Sequence, residues 1–161
     1  MNFRNKDVFG YFRMGLVTGI VDKRSVVEWA DNEIVRNPIP GHEVIELSLS
    51  SNRPYSQIIW LLSSFEGEPD YDLPLKLLLA RAGVLLDQDP SRASAIIMGL
   101  RLLIEEEHLS KDVKSQLADL KSYLDMYKQT NISFEDLTTR LSSFLDRYAD
   151  YRPQLNQIAQ L

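Results

Sequence analysis

The apolar positions of this chain are densest between Asp72 and His108. Within that stretch they recur at spacings of three and four, which is helical periodicity, and many neighbouring positions are apolar as well. Gln88, Asp89 and Pro90 divide the stretch in two. A helix that is apolar on more than one side is typical of a protein interior. The pattern therefore predicts two buried helices that meet at a tight turn, with the other helices packed around them.

The second of these helices is predicted to cover residues 90–107, a length of about 27 Å at 1.5 Å per residue. Asp89 suits its N-cap, and the proline that follows suits the first helical position, where a missing N–H costs nothing. Ala95, Met98 and Leu102 give this helix a second apolar face. We expect that face to be buried.

The N-terminal segment has a weaker pattern. A short helix is predicted over residues 7–14, and Gly15 and Gly19 argue against a longer one, because each glycine costs about 1 kcal/mol relative to alanine inside a helix. Asp22 suits the N-cap of the next helix, in which apolar residues recur at helical spacing as far as Val35.

Two segments of the middle region are interpreted as helices. Residues 42–51 have the alternation of a strand, but a single strand would have no partner, so a short helix is favoured. Residues 55–65 predict a buried helix. A loop with four acids and no base follows it, from Glu66 to Asp72.

The last third of the chain has the narrowest apolar stripes. Ser110 and Ser133 suit the N-caps of two helices, and Asp136 completes a capping box with Ser133. The short loop between these helices predicts an antiparallel hairpin. Asp136 and Arg140 are expected to pair across one helical turn. A final short helix is predicted after the break at Pro153.

Together these elements predict an all-α fold of about eight helices with no convincing strand. The short connections favour either an irregular multi-helix bundle or a short stack of antiparallel helix pairs. The length of 161 residues fits a single helical domain over residues 1–161.

Composition and charge narrow the class of protein. The chain is 44% apolar and has no cysteine, which indicates a folded domain without disulfides or thiolate metal sites. No apolar run approaches the roughly 18 residues that span a bilayer, and the N-terminus lacks a signal-peptide core, so we expect a cytoplasmic protein without a membrane partner. The net charge of −5 opposes binding to nucleic acid, because phosphate backbones repel an acidic domain.

The sequence offers few residues for catalysis or metal binding. Glu105 and His108 have the Glu-x-x-His spacing of a di-iron helix, but such a site needs a second motif and two further glutamates, so a solvated helix end is the better interpretation. There is no nucleophile elbow and no phosphate-binding loop. Carboxylates one turn apart, such as Glu28 and Asp31, are typical of a polar surface. We predict no enzyme, catalytic residue, metal or cofactor; an enzyme with converging distant carboxylates is the remaining catalytic hypothesis.

Two acidic segments flank the central helices and form the candidate partner-binding site. The first contains an aromatic residue of the kind that dominates interfaces, and the second lies at the end of the second helix. If the two central helices form a simple antiparallel hairpin, both acidic segments lie at the same end of the molecule. Such a surface predicts electrostatic steering of a basic protein. The candidate residues are Glu66, Glu68, Asp70, Tyr71, Asp72, Glu105, Glu106 and Glu107.

Two short motifs suggest a family. Trp29-Ala30-Asp31, and Leu47-Ser48-Leu49 after the proline-rich turn, resemble motifs of an uncharacterised bacterial all-helical domain family whose members look like immunity proteins of polymorphic toxin systems. The resemblance covers most of the chain. It implies that the chain binds a cognate toxin domain, a basic protein, and neutralises it by occlusion. A helical adaptor without catalytic activity or a toxin partner is the alternative.

Overall fold

Nine α-helices and three 3₁₀ segments follow one another in the ranges that the computed structural model describes, residues 4–65 and 71–158, and no strand occurs there. The predicted all-α fold is thereby confirmed. No helix within these ranges is long and apolar enough to cross a membrane. The α-helices are α1 (Asn5–Thr18), α2 (Lys23–Arg36), α3 (His42–Ser48), α4 (Tyr55–Ser64), α5 (Asp72–Gln88), α6 (Ala93–Arg101), α7 (Lys111–Lys128), α8 (Phe134–Leu145) and α9 (Arg152–Ile158). The 3₁₀ segments are Pro90–Arg92, Leu102–Glu105 and Asp146–Tyr151.

The helix α5 lies at the centre of the fold. Leu77, Leu78, Leu79 and Ala80 each have 0% exposure. Four successive residues of a helix point in all directions, so α5 is enclosed on every side, as its pattern predicted. The helices α1, α8 and α9 pack against it, as does the segment 146–151. A continuous cluster of buried apolar side chains includes residues from each of the described helices.

The second predicted interior helix, α6, is shorter and less buried than the pattern indicated. Its α-helical part ends at Arg101, a 3₁₀ turn continues to Glu105, and Glu106 is extended. Met98 and Leu102 are 41% and 43% exposed, so the prediction of a second buried face is wrong. The helices α1, α7 and α8 pack on the other sides of α6, and within the described ranges this face is left to solvent.

The helix α1 is longer than predicted. It includes Gly15, at which a Cβ would lie 2.5 Å from the Val21 side chain, so glycine lets the chain turn back closely on the helix. The helix ends only at Gly19, whose φ of 73° is the left-handed conformation that glycine adopts easily. The predicted end at residue 14 is wrong because burial of α1 against α4, α5 and α6 outweighs the helix propensity lost at its glycines.

The region from α2 to α4 has the predicted helices but a more exposed surface. Asp22 caps α2 by accepting a hydrogen bond from the Ser25 N–H. Within residues 42–51 a helix forms, as favoured, but it ends at Ser48. Val35 is 85% exposed and Trp60 is 67% exposed, although the pattern assigned both to buried stripes. These stripes are wider than the neighbouring helices can cover, because α3 packs along one side of α2 and only weakly on α4.

The helices α7 and α8 pack against each other as the C-terminal pattern predicts. Ser110 and Ser133 cap them, and the capping box between Ser133 and Asp136 is present. The expected pairing of Asp136 with Arg140 is wrong. Asp136 is engaged with Ser133, and the Arg140 guanidinium instead lies 4.3 Å from the centroid of the Tyr123 ring, a cation–π contact.

The helices α1 and α6 make a close backbone contact at Gly99. A Cβ at this position would lie 2.1 Å from the carbonyl oxygen of Thr18 and 3.0 Å from its carbonyl carbon. These are backbone atoms at the end of α1, which cannot rotate away as a side chain can. The packing of α6 on α1 therefore requires glycine at position 99.

We expect Gly99→Ala to lower the free energy of unfolding by about 1–3 kcal/mol, the typical penalty of overpacking, although alanine has the higher helix propensity. Gly83→Ala is a matched control, because Gly83 is also helical and buried, but its obstacle is the movable terminal nitrogen of Arg152, at 2.7 Å. Urea denaturation of both variants measures the difference. Equal destabilisation by the two substitutions would contradict the requirement for glycine at position 99.

Candidate protein-binding surface

Tyr71, in the described part of the first acidic segment, lies beside the chain that follows the second acidic segment. The ring of Tyr71, directly before α5, stacks on the imidazole of His108, with centroids 4.6 Å apart and planes inclined by 4°. The start of α5 and the chain after α6 therefore lie together, as a simple hairpin predicts. Glu66, Glu68 and Asp70 precede Tyr71 in the sequence and lie outside the described residues.

Arg13 of α1 joins these two segments. Its Nη1 and Nη2 donate to the two carboxylate oxygens of Glu106 at 3.0 and 3.2 Å, and its guanidinium lies 5.5 Å from the centroid of the Tyr71 ring. The side chains of Arg13 and Glu106 are only 14% and 20% exposed. A bidentate pair that is shielded from solvent is stronger than an exposed one. The sequence pattern gives no signal for this contact, because the two residues are 93 positions apart.

Only part of the predicted acidic surface carries free negative charge. Glu106 is neutralised by the arginine of α1, and Asp72 accepts from the Lys76 Nζ at 2.6 Å. The hydrogen bond from Lys76 to Asp72 raises the pKa of that lysine. Glu105 and Glu107 are exposed and form no ion pair with another described residue. In the described part of this surface, the outward negative charge therefore belongs to these two glutamates.

The residues of the Glu-x-x-His spacing do not form one helical turn. Helical geometry ends at Glu105, so Glu105 and His108 do not share a helix face, and the His108 ring is stacked on Tyr71. No group of three or more histidine, aspartate or glutamate side chains within residues 4–65 and 71–158 is placed to hold a metal ion.

The carboxylates on α2 have structural partners. Glu28 accepts from Arg24 Nε at 2.6 Å on the same helix, and Asp31 accepts from the Ser48 hydroxyl, which ties α2 to α3. Both residues are exposed, in agreement with the interpretation of their spacing as that of a polar surface.

An exposed apolar strip leads to residues 105–107, which we call the acidic turn. Ala95, Met98 and Leu102 follow one another at helical spacing on α6 and the next turn, and all three are exposed. Glu105 comes three residues after Leu102, and Glu107 comes two residues after Glu105. We call these five residues the α6 surface. An apolar centre with a charged rim is the usual anatomy of a protein–protein interface.

A second set of exposed apolar side chains lies in the region from α2 to α4, with Ile39 after the end of α2 and Leu49 directly after α3. Val35 and Ile39 are 85% and 86% exposed, and Leu49 and Trp60 are 68% and 67% exposed. We call these four residues the α2–α4 group. The exposure of Val35, Leu49 and Trp60 was missed in the sequence, because their spacing or composition matches that of buried positions.

No relative assigns a function to either surface, because comparisons of the chain with protein-family models, curated proteins and solved structures gave no match. The resemblance to immunity proteins therefore stays a prediction. The function has to be argued from the two surfaces themselves.

The contact between Arg13 and Glu106 can be tested by a double-mutant cycle. Arg13→Met or Glu106→Gln alone removes one partner of a shielded pair, so we expect each to lower the free energy of unfolding by about 1.5–3 kcal/mol. The double variant should lose less than the sum of the two, with a coupling energy of about 0.5–3 kcal/mol. Chemical denaturation of the four proteins measures this energy.

The control is the same cycle on Arg24 and Glu28, whose side chains are 83% and 57% exposed. We expect a smaller coupling energy that falls as salt is added, since solvent and ions screen exposed charges. A coupling energy for Arg13 and Glu106 no larger than that of the control pair would mean that the bridge does not hold the acidic turn.

Proposed function

We propose that this chain is an immunity-type protein that binds a basic toxin domain through the α6 surface and neutralises it by occlusion. The observation that carries the proposal is the exposed apolar strip of α6, which leads directly into the acidic turn. The likeness of Trp29-Ala30-Asp31 and Leu47-Ser48-Leu49 to motifs of immunity proteins supports a toxin as the partner.

The α6 surface combines two kinds of binding energy. Met98 and Leu102 supply apolar area, and methionine adapts well to an irregular partner surface. Glu105 and Glu107 lie at the rim, where charge mainly raises the association rate and excludes acidic partners.

The acidic turn is held in place before any partner arrives. The bridge from Arg13 to Glu106 and the stacking of Tyr71 on His108 restrain the backbone on both sides of the turn. A surface that is already ordered loses little conformational entropy when it binds. The same contacts therefore support tight binding by a small interface.

Occlusion follows from the charge of the two proteins. A basic toxin domain that acts on nucleic acid must present positive charge at its substrate site. An acidic domain with a net charge of −5 is attracted to that site and covers it. Neutralisation then needs no catalytic residue.

A helical adaptor is the second candidate function. The α2–α4 group favours it, because a second exposed apolar set gives the domain a separate place to hold another protein. In that case the two surfaces would bind two partners, and neither partner would be a toxin.

The variant Glu105→Lys with Glu107→Lys tests the α6 surface. We expect slower association with the partner and a weaker dependence of the association rate on salt, because the steering charges are reversed. The partner is obtained by co-purification with the tagged wild-type chain, and the kinetics are measured on the purified pair. The control reverses Asp119 and Glu135, two exposed acids on α7 and α8, and should leave the association rate nearly unchanged.

A growth assay separates the immunity protein from the adaptor. The captured partner is expressed alone, with the wild-type chain, or with the variant Leu102→Asp, which places a charge in the apolar strip. An immunity protein predicts a toxic partner, rescue of growth by the wild-type chain, and weaker rescue by the variant. A partner that is harmless when expressed alone would refute neutralisation and favour the adaptor.

A further inference from the structure

A cavity of about 310 Å³ shares no lining residue with the α6 surface. Its walls come from α1, the turn before α2, the start of α2, α5 and the 3₁₀ segment Pro90–Arg92. Tyr11, Asp22, Arg81 and Arg92 are among the polar residues that line it. The volume is at the lower end of the range for small-molecule sites.

Among the residues that line this cavity, Arg81 has a buried hydrogen-bond donor without an acceptor. Its Nη1 is shielded from solvent and has no hydrogen-bond acceptor, and its guanidinium makes no ion pair with another described residue. A shielded cationic donor without an acceptor is destabilising, because it has lost water and gained nothing in return. The Arg81 side chain as a whole is partly exposed and lines the cavity, and it makes no hydrogen bond with another described residue, so the rest of its guanidinium can bind an anionic group there.

Asp22 does not meet this need. Its Oδ1 accepts from the Ser25 N–H at 2.9 Å and from the Ser25 hydroxyl at 2.8 Å, as the cap of α2. Its carboxylate lies beyond ion-pair distance of Arg81. Burial acts to raise the pKa of Asp22, but the hydrogen bonds from Ser25 lower it, and the charges of Arg24 and Arg81 add smaller contributions in the same direction. The cap and the unpaired arginine therefore face the same cavity separately.

Tyr11 contributes a second donor. The residue is 2% exposed, lines the cavity, and makes no hydrogen bond to another described residue. Burial raises the pKa of Tyr11 to about 12, against the smaller opposing effect of the Arg81 charge. The phenol therefore stays protonated at neutral pH and can donate to an anion.

We propose that this cavity binds a small organic carboxylate, with its carboxylate on Arg81 and Tyr11. The donors of a guanidinium fit the two oxygens of a carboxylate. Phe12, Ile20 and Leu85 supply an apolar wall for a short carbon chain. This site is independent of the α6 surface and of the function proposed for it.

The charges of the lining favour a monoanion. Arg81 provides a positive charge, whereas Arg92 already pairs with Asp89 at 4.0 Å. Asp22 provides a negative charge that repels a second charge on the ligand. A short-chain carboxylate satisfies these conditions better than phosphate, which carries more charge and has no apolar part.

Butyrate is the probe for this site. We expect titration of the full chain with butyrate at millimolar concentrations to give saturable shifts in the amide NMR resonances of Gly19, Ile20 and Ser25. Butanol lacks the carboxylate and phosphate lacks the apolar chain, so both should bind more weakly. Their titrations at equal ionic strength separate the carboxylate from general apolar or anionic binding.

Variants test the two donors. Arg81→Gln should weaken butyrate binding by about 10- to 100-fold, the loss typical of a hydrogen bond to a charged group. Tyr11→Phe keeps the ring and should weaken binding several-fold. Arg24→Gln changes an exposed arginine at the start of α2 and should leave the affinity unchanged.

Circular dichroism first establishes that each variant is folded. If Arg81→Gln is not folded, Tyr11→Phe decides the outcome. Shifts that do not saturate, affinities unchanged in both folded variants, or binding of phosphate or butanol equal to that of butyrate would each overturn the proposal. Saturable binding that is selective for butyrate and sensitive to Arg81 or Tyr11 supports it.

Discussion

The enclosure of α5 is the constraint on which the rest of the structure depends. Because successive residues from Leu77 to Ala80 are shielded from solvent, this helix needs a neighbour on every side. The helices α1, α8 and α9 and the segment 146–151 meet that need together. The helices α2, α3 and α4 lie outside this group and have fewer partners, and one face of α6 has no neighbour among the described residues. Apolar residues on α2, α4 and α6 therefore reach the surface.

Features with local causes could be predicted from the sequence, and those with distant causes could not. Asp22, Ser110 and Ser133 each accept from a backbone N–H three residues ahead, so the start of their helices follows from a few neighbouring residues. The length of α1 depends instead on packing against distant helices. The close approach of Gly99 to Thr18 is likewise invisible to periodicity, because the two residues meet only when α6 has docked on α1.

The candidate protein-binding surface likewise has features that could be predicted from the sequence and features that could not. The start of α5 and the chain after α6 lie together, and this was predictable from the short turn between the helices. Periodicity marks an apolar face but not whether another helix covers it, so Met98 and Leu102 were assigned to the interior. The identity of the charges that remain free was also beyond the sequence, because Arg13 neutralises Glu106 from another part of the chain.

The two basic residues of α5, Lys76 and Arg81, differ in whether their charge has a partner. Lys76 lies one turn after Asp72 and reaches it at 2.6 Å, so its charge is satisfied within the helix. Arg81 has leucines at the positions four residues before and after it, Leu77 and Leu85, and no local acid. Arg81 is partly exposed and lines the cavity without an ion-pair partner among the described residues. A guanidinium placed in this way is suited to bind a carboxylate in the cavity, whereas the ammonium of Lys76 is already engaged.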